Sequence, residues 1–331
     1  MQPLDDRCWV LTDGKAGMVA QALGLAEAVG LPVETKRLRG GFPWRMLPAA
    51  LWPPGVMGLS PRSDPLRPPW PRLIISCGRH AVGPALEVKR RSGGRTSVVH
   101  IQHPRARLSA FDLIVAPRHD RLEGPNVLVT TGSVHRVTRE RLDLARSGME
   151  KSLAAMPEPR IVVLIGGNNG AYRLDAVETA RLAALLKQVA AKTRATLLVT
   201  PSRRTGEENT RILRRALADT PGAVWDLKGA NPYFGWLGAA DAILATGDSV
   251  NMVSEAVATG KPVYLLDLPA VGRTEKFRRF HEAMIEAGAA RRFTGKIELD
   301  WKPTRIDDTA RAAERVQALL TAQQEGAAPA D

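Results

Sequence analysis

Residues 241–267 read D-A-I-L-A-T-G-D-S-V-N-M-V-S-E-A-V-A-T-G-K-P-V-Y-L-L-D, an order that leaves little choice of local fold. A short apolar run at 241–245 meets the cap-rich turn Thr246-Gly247-Asp248-Ser249. An amphipathic helix over 250–259 follows, stopped by Gly260 and Pro262 before a second apolar run. Strand, turn, helix and strand in that order form the repeating unit of a parallel sheet. Such a turn aims helix amides at an anion, so residues 247–250 are candidates to seat a diphosphate, helped by the helix dipole. Glu255, two turns into the helix, is placed to accept hydrogen bonds from a ribose. Doubly wound proteins repeat such turns and many bind nothing, so the segment by itself also fits a plain connection.

The unit recurs along the chain. Apolar runs at 8–12, 33–38, 73–77, 97–101, 113–116 and 127–130 predict one parallel sheet, and runs at 161–165, 196–200, 223–226, 242–245 and 263–266 predict a second. A polar stretch, 138–159, ends in P-E-P between them. The expected organisation is an N-terminal α/β domain over 1–155, a second α/β domain over 156–305, and a segment 306–331. That segment holds a final helix, packing back on the first domain, and a frayed tail. A chain of 331 residues exceeds what one core usually serves, in agreement with two.

The beginning of the chain lacks a basic-then-apolar leader pattern, and no run of about 18 apolar residues suggests a membrane-spanning helix. Cys8 and Cys77 both lie in apolar runs and read as core thiols of a cytoplasmic protein. The net charge of +13 is uneven: residues 1–155 carry 23 Lys+Arg against 13 Asp+Glu, the remainder 24 against 21. A basic first half suits nucleic acid, an anionic membrane surface or an acidic ligand. Nucleic acid fits worst, because the chain lacks interleaved aromatic and basic strands, zinc-finger spacing and a helix-turn-helix.

Residues 42–71 break the rhythm with nine prolines and three of the seven tryptophans. No charged residue falls between Arg45 and Arg62, yet Met46, Leu47, Leu51, Trp52, Val56, Met57 and Leu59 offer apolar surface. Two readings stay open: a loop packed on the first domain, or a segment dipping into a lipid interface while Arg45, Arg62 and Arg67 meet anionic head groups.

Several strand ends carry residues suited to chemistry. T-D-G-K-A-G-M supplies Asp13, Gly14, Lys15 and Gly17, a turn that admits a phosphate or acceptor, or that simply fits a tight strand-to-helix junction. Neither the P-loop nor the dinucleotide G-x-G-x-x-G pattern is present, which disfavours an ATPase or a dehydrogenase. Five of the six histidines (His80, His100, His103, His119, His135) fall near strand ends of the first half. His80 opens a helix whose dipole holds it neutral, as a general base requires. His103 with Arg105, and Arg118 with His119 and Asp120, are further polar strand ends. No zinc spacing occurs, and a structural role is the plain alternative for each histidine. In the second half, Gly166, Gly167, Asn168, Asn169 and Gly170 form an anion- or sugar-binding turn. Ser202, Arg203 and Arg204 follow the next strand, where arginine can clamp a phosphate. Tyr233, Phe234 or Trp236 stacks on a base or fills the core.

The second half resembles the nucleotide-sugar domain of GT-B glycosyltransferases, notably the enzyme that adds N-acetylglucosamine during lipid II synthesis. The similar segments are G-G-N-N-G-A and the stretch from Gly247 through Glu255 to Gly260-Lys261-Pro262. The resemblance implies that Glu255 holds the donor ribose, although here eight residues separate it from Gly247. Nearly the whole chain is more similar still to bacterial relatives of the plant elongated-mitochondria fission protein. L-T-D-G-K-A-G, S-C-G-R-H, I-Q-H-P, I-G-G-N-N-G-A and A-T-G-D-S-V-N-M-V-S-E-A carry that likeness. That family name describes recruitment of a dynamin-related protein to a plant organelle. The implied fold is α/β, with two Rossmann-like doubly wound domains facing across a cleft.

The resulting expectation is a GT-B-like glycosyltransferase using a nucleotide-sugar as substrate, without a further cofactor. No D-x-D metal motif occurs, so helix amides and Arg203 or Arg204 would stabilise the leaving diphosphate. His80 would deprotonate an acceptor, lipid-linked at the inner face of a membrane. A non-catalytic scaffold that recruits a partner to a membrane, and a nucleotide-sugar epimerase, are the alternatives.

Overall fold

A computed structural model describes residues 4–46 and 55–327. Leu47, Leu51 and Trp52 of the apolar segment, and the tail from 328, lie outside the described residues. The chain divides into two compact units, residues 1–136 with 307–331, and residues 137–306.

The first unit holds a six-stranded sheet, every pairing parallel, in the order β2-β1-β3-β4-β5-β6. Its strands are β1 (Asp5–Thr12), β2 (Val33–Arg37), β3 (Pro71–Cys77), β4 (Ser97–Ile101), β5 (Leu113–Pro117) and β6 (Val127–Thr130). Helices α1 (Ala16–Val29) and α2 (Arg79–Arg91) connect strands of this sheet. Side chains alternate across a strand, so β1 supplies two cores at once. Cys8 and Val10 pack with Ala22 and Leu25 of α1, while Trp9 and Leu11 pack with Ala85 and Val88 of α2. Both thiols are free and buried, and burial pushes Cys8 up to about 12 and Cys77 higher still, which makes them inert packing groups.

The second unit repeats the plan with strands β7 (Arg160–Ile165), β8 (Thr196–Pro201), β9 (Gly222–Val224), β10 (Ala242–Thr246), β11 (Val263–Leu266) and β12 (Arg291–Arg292). Their order is β12-β11-β10-β7-β8-β9, again all parallel. Its helices are α3 (Arg139–Ser147), α4 (Glu150–Ala154), α5 (Ala176–Thr193), α6 (Gly206–Ala216), α7 (Tyr233–Ala239), α8 (Val250–Ala258) and α9 (Glu275–Glu286). Ile161, Val163 and Ile165 face Leu182 and Leu186 of α5. Val162 and Leu164 face the opposite core, with Trp236 of α7 and Val253 of α8.

The division falls at 136/137 rather than near 155. The polar stretch at 138–159 reads as a linker by composition, yet α3 lies hard against α7. A Cβ added to Gly238 of α7 would come within 2.6 Å of the Leu142 carbonyl oxygen, and one added to Gly235 within 3.0 Å of the Ala145 carbonyl oxygen, both on α3. Two missing side chains let the helices approach closely, and Leu142 joins the core of the second unit. The last helix, α10 (Asp308–Ala327), belongs to the first unit: Ala312, Ala313, Val316 and Leu320 share the core of α1. Asp308 accepts the Gly132 amide at 2.8 Å, and Thr309 accepts that of His135 at 2.9 Å.

Candidate functional site

In the second unit the chain leaves β7 toward β8 and β9, then crosses back to build β10, β11 and β12 on the other flank. The connections after β7 and β10 therefore diverge, and the carboxyl ends of this pair are where a parallel sheet of such order carries its ligands. The loops carrying Gly166-Gly167 and Gly247-Asp248-Ser249 lie there, and β8 delivers Ser202-Arg203-Arg204 beside β7.

One buried carboxylate joins all three. Asp248 Oδ2 accepts the Gly167 amide at 3.0 Å and pairs with Arg204 Nη1 at 2.6 Å, while Oδ1 accepts the Thr246 hydroxyl at 2.6 Å. Thr246 Oγ1 in turn accepts the Gly166 amide at 2.8 Å. Arg204 Nη1 also reaches the Gly167 carbonyl at 3.1 Å. The Asp248 side chain is fully enclosed, so these partners replace the water its charge has lost. Gly167 has φ +155, and a Cβ there would lie 2.1 Å from the Arg204 carbonyl oxygen. Glycine is what permits that approach. Ser202 Oγ donates to the Gly166 carbonyl at 2.8 Å, and Thr205 Oγ1 donates to the same oxygen.

The network changes the roles expected of several residues. Gly167's amide and Arg204 serve Asp248, and Gly247's amide serves the sheet, donating to the Leu266 carbonyl at 2.9 Å. The anion-facing donors narrow to Ser249 and Val250 at the head of α8, whose amides meet no acceptor among the described residues. Arg203 is exposed and in no ion pair among the described residues. Asn168 and Asn169 brace the glycine loop. The side-chain Oδ1 of Asn168 accepts the Leu174 amide, and Oδ1 of Asn169 accepts the amides of Ala171 and Tyr172. Asn169 Nδ2 donates to the Asp248 carbonyl at 3.0 Å.

Glu255 is buried in α8, and its Oε2 accepts the Tyr233 hydroxyl at 2.5 Å. Burial pushes its carboxyl up to about 7 against the opposing pull of that bond. Tyr233 thus serves a carboxylate, and Trp236 is buried in the core. His281 escaped the sequence reading. It sits in α9, with Nε2 2.8 Å from the Gly247 carbonyl oxygen, and a Cβ on Gly247 would strike its ring at 2.7 Å. No local pattern announces that contact, which spans 34 residues.

In the first unit the divergence lies between β1 and β3, and their carboxyl-end loops carry Asp13-Gly14-Lys15 and Gly78-Arg79-His80. Lys15 Nζ pairs with Asp13 Oδ2 at 2.8 Å, and the Lys15 amide donates to Oδ1. Burial opposes ionisation of Asp13, but these two bonds hold its carboxyl below the usual range. Gly14, at φ +80, lies under the Arg37 guanidinium, 2.3 Å from where a Cβ would stand. Gly17 lies in the first turn of α1. His80 Nε2 accepts from Arg79 Nε at 3.2 Å. Burial and the Arg79 charge hold His80 below the ordinary histidine range, against the pull of Asp13, so it is neutral near pH 7. His103 is exposed, and its Nδ1 accepts the Arg105 amide at 3.0 Å, shaping its own turn.

The remaining histidines of this unit, His100, His119 and His135, are all buried. His100 is buried within β4, 2.8 Å from Ser76 Oγ, and burial lowers it to about 3. Strand-end position in sequence does not reveal which face or depth a side chain takes.

Comparison with known proteins places these features. The chain is 33% identical over 279 residues to mitochondrial fission protein ELM1 of Arabidopsis thaliana, an alignment covering 76% of this chain and 65% of that protein, just under two thirds of its length. Among solved structures, UDP-GlcNAc 2-epimerase of Methanocaldococcus jannaschii superposes with a TM-score of 0.53 at 12% identity, covering 96% of this chain and 99% of that one. A second structure of that enzyme, in complex with UDP-GlcNAc and UDP, gives 0.50 at the same identity and coverage. The glycotransferase of kitacinnamycin gives 0.51 at 13% identity, covering 98% and 95%. At such identities the likeness shows a shared fold, that of GT-B proteins. The model described as mitochondrial fission ELM1 matches residues 16–320, and the chain with its two doubly wound sheets therefore belongs to the mitochondrial fission ELM1 family.

Proposed function

We propose that the protein transfers a sugar from a nucleotide-sugar to an acceptor, with the donor diphosphate held by the second unit. The observation that carries this reading is the Asp248 network, which assembles three loops at the β7/β10 divergence and leaves the Ser249 and Val250 amides without an acceptor among the described residues and Arg203 exposed. Amides at a helix head and one cation answer the charge that develops on a departing diphosphate, and in this reading no metal is needed. The M. jannaschii epimerase of the same fold holds UDP-GlcNAc and UDP, which supports a uridine nucleotide as the first donor to test. Glu255 contacts the donor ribose, giving up its bond to Tyr233 to do so. Asp13, Lys15 and the glycine turn bind the acceptor, from whose hydroxyl His80 withdraws a proton. The acceptor is lipid-linked and met at an anionic membrane face, in keeping with the chain's net charge of +13.

A second reading has its own support. Asp248 occupies Arg204 and the Gly167 amide, and Tyr233 occupies Glu255, so groups suited to a ligand already have internal partners. That pattern suits a scaffold that keeps the fold without turnover.

Isothermal titration with UDP, UDP-GlcNAc and other nucleoside diphosphates separates the two. The transferase reading expects binding by one of them, weakened about tenfold or more in Arg203→Ala. It also expects His80→Asn to bind donor normally while losing transfer. Silence across the whole nucleotide panel favours the scaffold, and a product isomeric with the donor would mark an epimerase.

A further inference from the structure

The segment between β2 and β3 leaves the sheet and returns to it on a fixed base. Gly40 and Leu59 form an antiparallel bridge, and the Gly41 amide donates to the Gly58 carbonyl at 2.8 Å. Below the bridge, the Ser60 amide donates to the Arg39 carbonyl at 2.7 Å, and the Arg39 amide to Ser63 Oγ at 2.9 Å. Leu38, Leu59 and Trp70 anchor this base in the core beside Trp9. Beyond the base the pattern reverses. Phe42, Met46 and Met57 are 76%, 73% and 74% exposed, three large apolar side chains offered to solvent from a braced turn. Phe42 and Met57 are the residues next in sequence to the Gly41–Gly58 hydrogen bond, on the side away from the base.

The charge around them is mostly basic: the Glu87 carboxylate beside Gly55 is paired with both Arg90 and Arg91. Arg39 and Arg62 are exposed and enter no ion pair among the described residues. Asp64 is the single acidic residue between positions 35 and 86, and one of its oxygens accepts the Arg37 amide at 2.6 Å. We propose that Phe42, Met46 and Met57, framed by Arg39 and Arg62, dock the protein on an anionic lipid surface. Apolar side chains enter the interface while guanidinium groups meet phosphate above them, which is how an amphipathic element reads a charged bilayer. A second copy of the chain fits poorly, because a two-fold contact sets each arginine against its own kind. The proposal deepens the functional reading by naming the surface through which a lipid-linked acceptor is reached.

Co-sedimentation without nucleotide tests it, using vesicles of phosphatidylcholine with phosphatidylglycerol against phosphatidylcholine alone. Wild type is expected to pellet with the anionic vesicles only and to be released by added salt. The triple variant Phe42→Ser, Met46→Ser, Met57→Ser is expected to bind at least about tenfold more weakly. Arg39→Glu with Arg62→Glu is expected to lose about thirtyfold or more. Because these side chains are exposed, both variants should keep the wild-type melting temperature and nucleotide titration. Wild type left in the supernatant with both lipids, or a triple variant that pellets as wild type does, overturns the proposal. Vesicle binding without nucleotide binding leaves it standing and sinks the transferase reading instead.

Discussion

Replacing Asp248 by alanine should be the most damaging single change at the carboxyl edge of the second sheet. It removes the acceptor of the Gly167 amide at 3.0 Å, the acceptor of the Thr246 hydroxyl at 2.6 Å and the partner of Arg204 at 2.6 Å. Hydrogen bonds to a charged group contribute about 1.5–3 kcal/mol each, and the first two are buried. Arg204 is 37% exposed and can rehydrate, so its share is discounted to about 1 kcal/mol. At the lower end for each bond the sum is about 4 kcal/mol, which agrees with the cost of stripping one partner from a buried pair. For a unit of this size it lowers the melting temperature by about 10 °C. Urea unfolding monitored by tryptophan fluorescence, with a calorimetric scan, measures both quantities. If Asp248→Ala cost under about 1 kcal/mol, the carboxylate would not organise the three loops as argued.

Two other outcomes follow from the geometry. Because burial raises Glu255 to about 7 in the folded state, above its unfolded value, the folded protein holds the extra proton between the two. Its contribution is complete in mild acid and is lost as pH rises through about 7, an effect of up to about 3 kcal/mol. Glu255→Gln should flatten that part of the stability–pH curve in urea titrations, and an unchanged slope would contradict the assignment. Gly238→Ala should cost about 1–3 kcal/mol by forcing α3 off α7, since its Cβ meets the Leu142 carbonyl oxygen at 2.6 Å. A variant as stable as wild type in chemical denaturation would show that the helices part freely.

Much of the architecture was legible in one dimension because it rests on local periodicity. Buried parallel strands are short apolar runs, and the caps of the connecting helices sit beside them, so eleven of the twelve described strands and α8 are legible close to their true bounds, while the exposed two-residue β12, Arg291–Arg292, has no apolar run to mark it. The unit boundary is not legible, since the polar face of α3 hides a contact made through glycines nearly a hundred residues away. Likewise the apolar stretch at 42–59 announced itself, while the bridge that exposes Phe42 and Met57 together did not.

Chain order alone determined the fold class and the loops that would carry polar chemistry, because strand and helix patterns depend on neighbours within a few positions. The division of labour within those loops came only from tertiary structure. Asp248 claims Arg204 and the Gly167 amide, Tyr233 claims Glu255, and Arg203 is left open, although these residues are separated by 44, 81, 22 and 45 positions respectively from their partners or from Asp248. A buried charge takes whichever donors the packed fold brings within about 3 Å, and distance in space, unlike periodicity, leaves no mark in the order of residues.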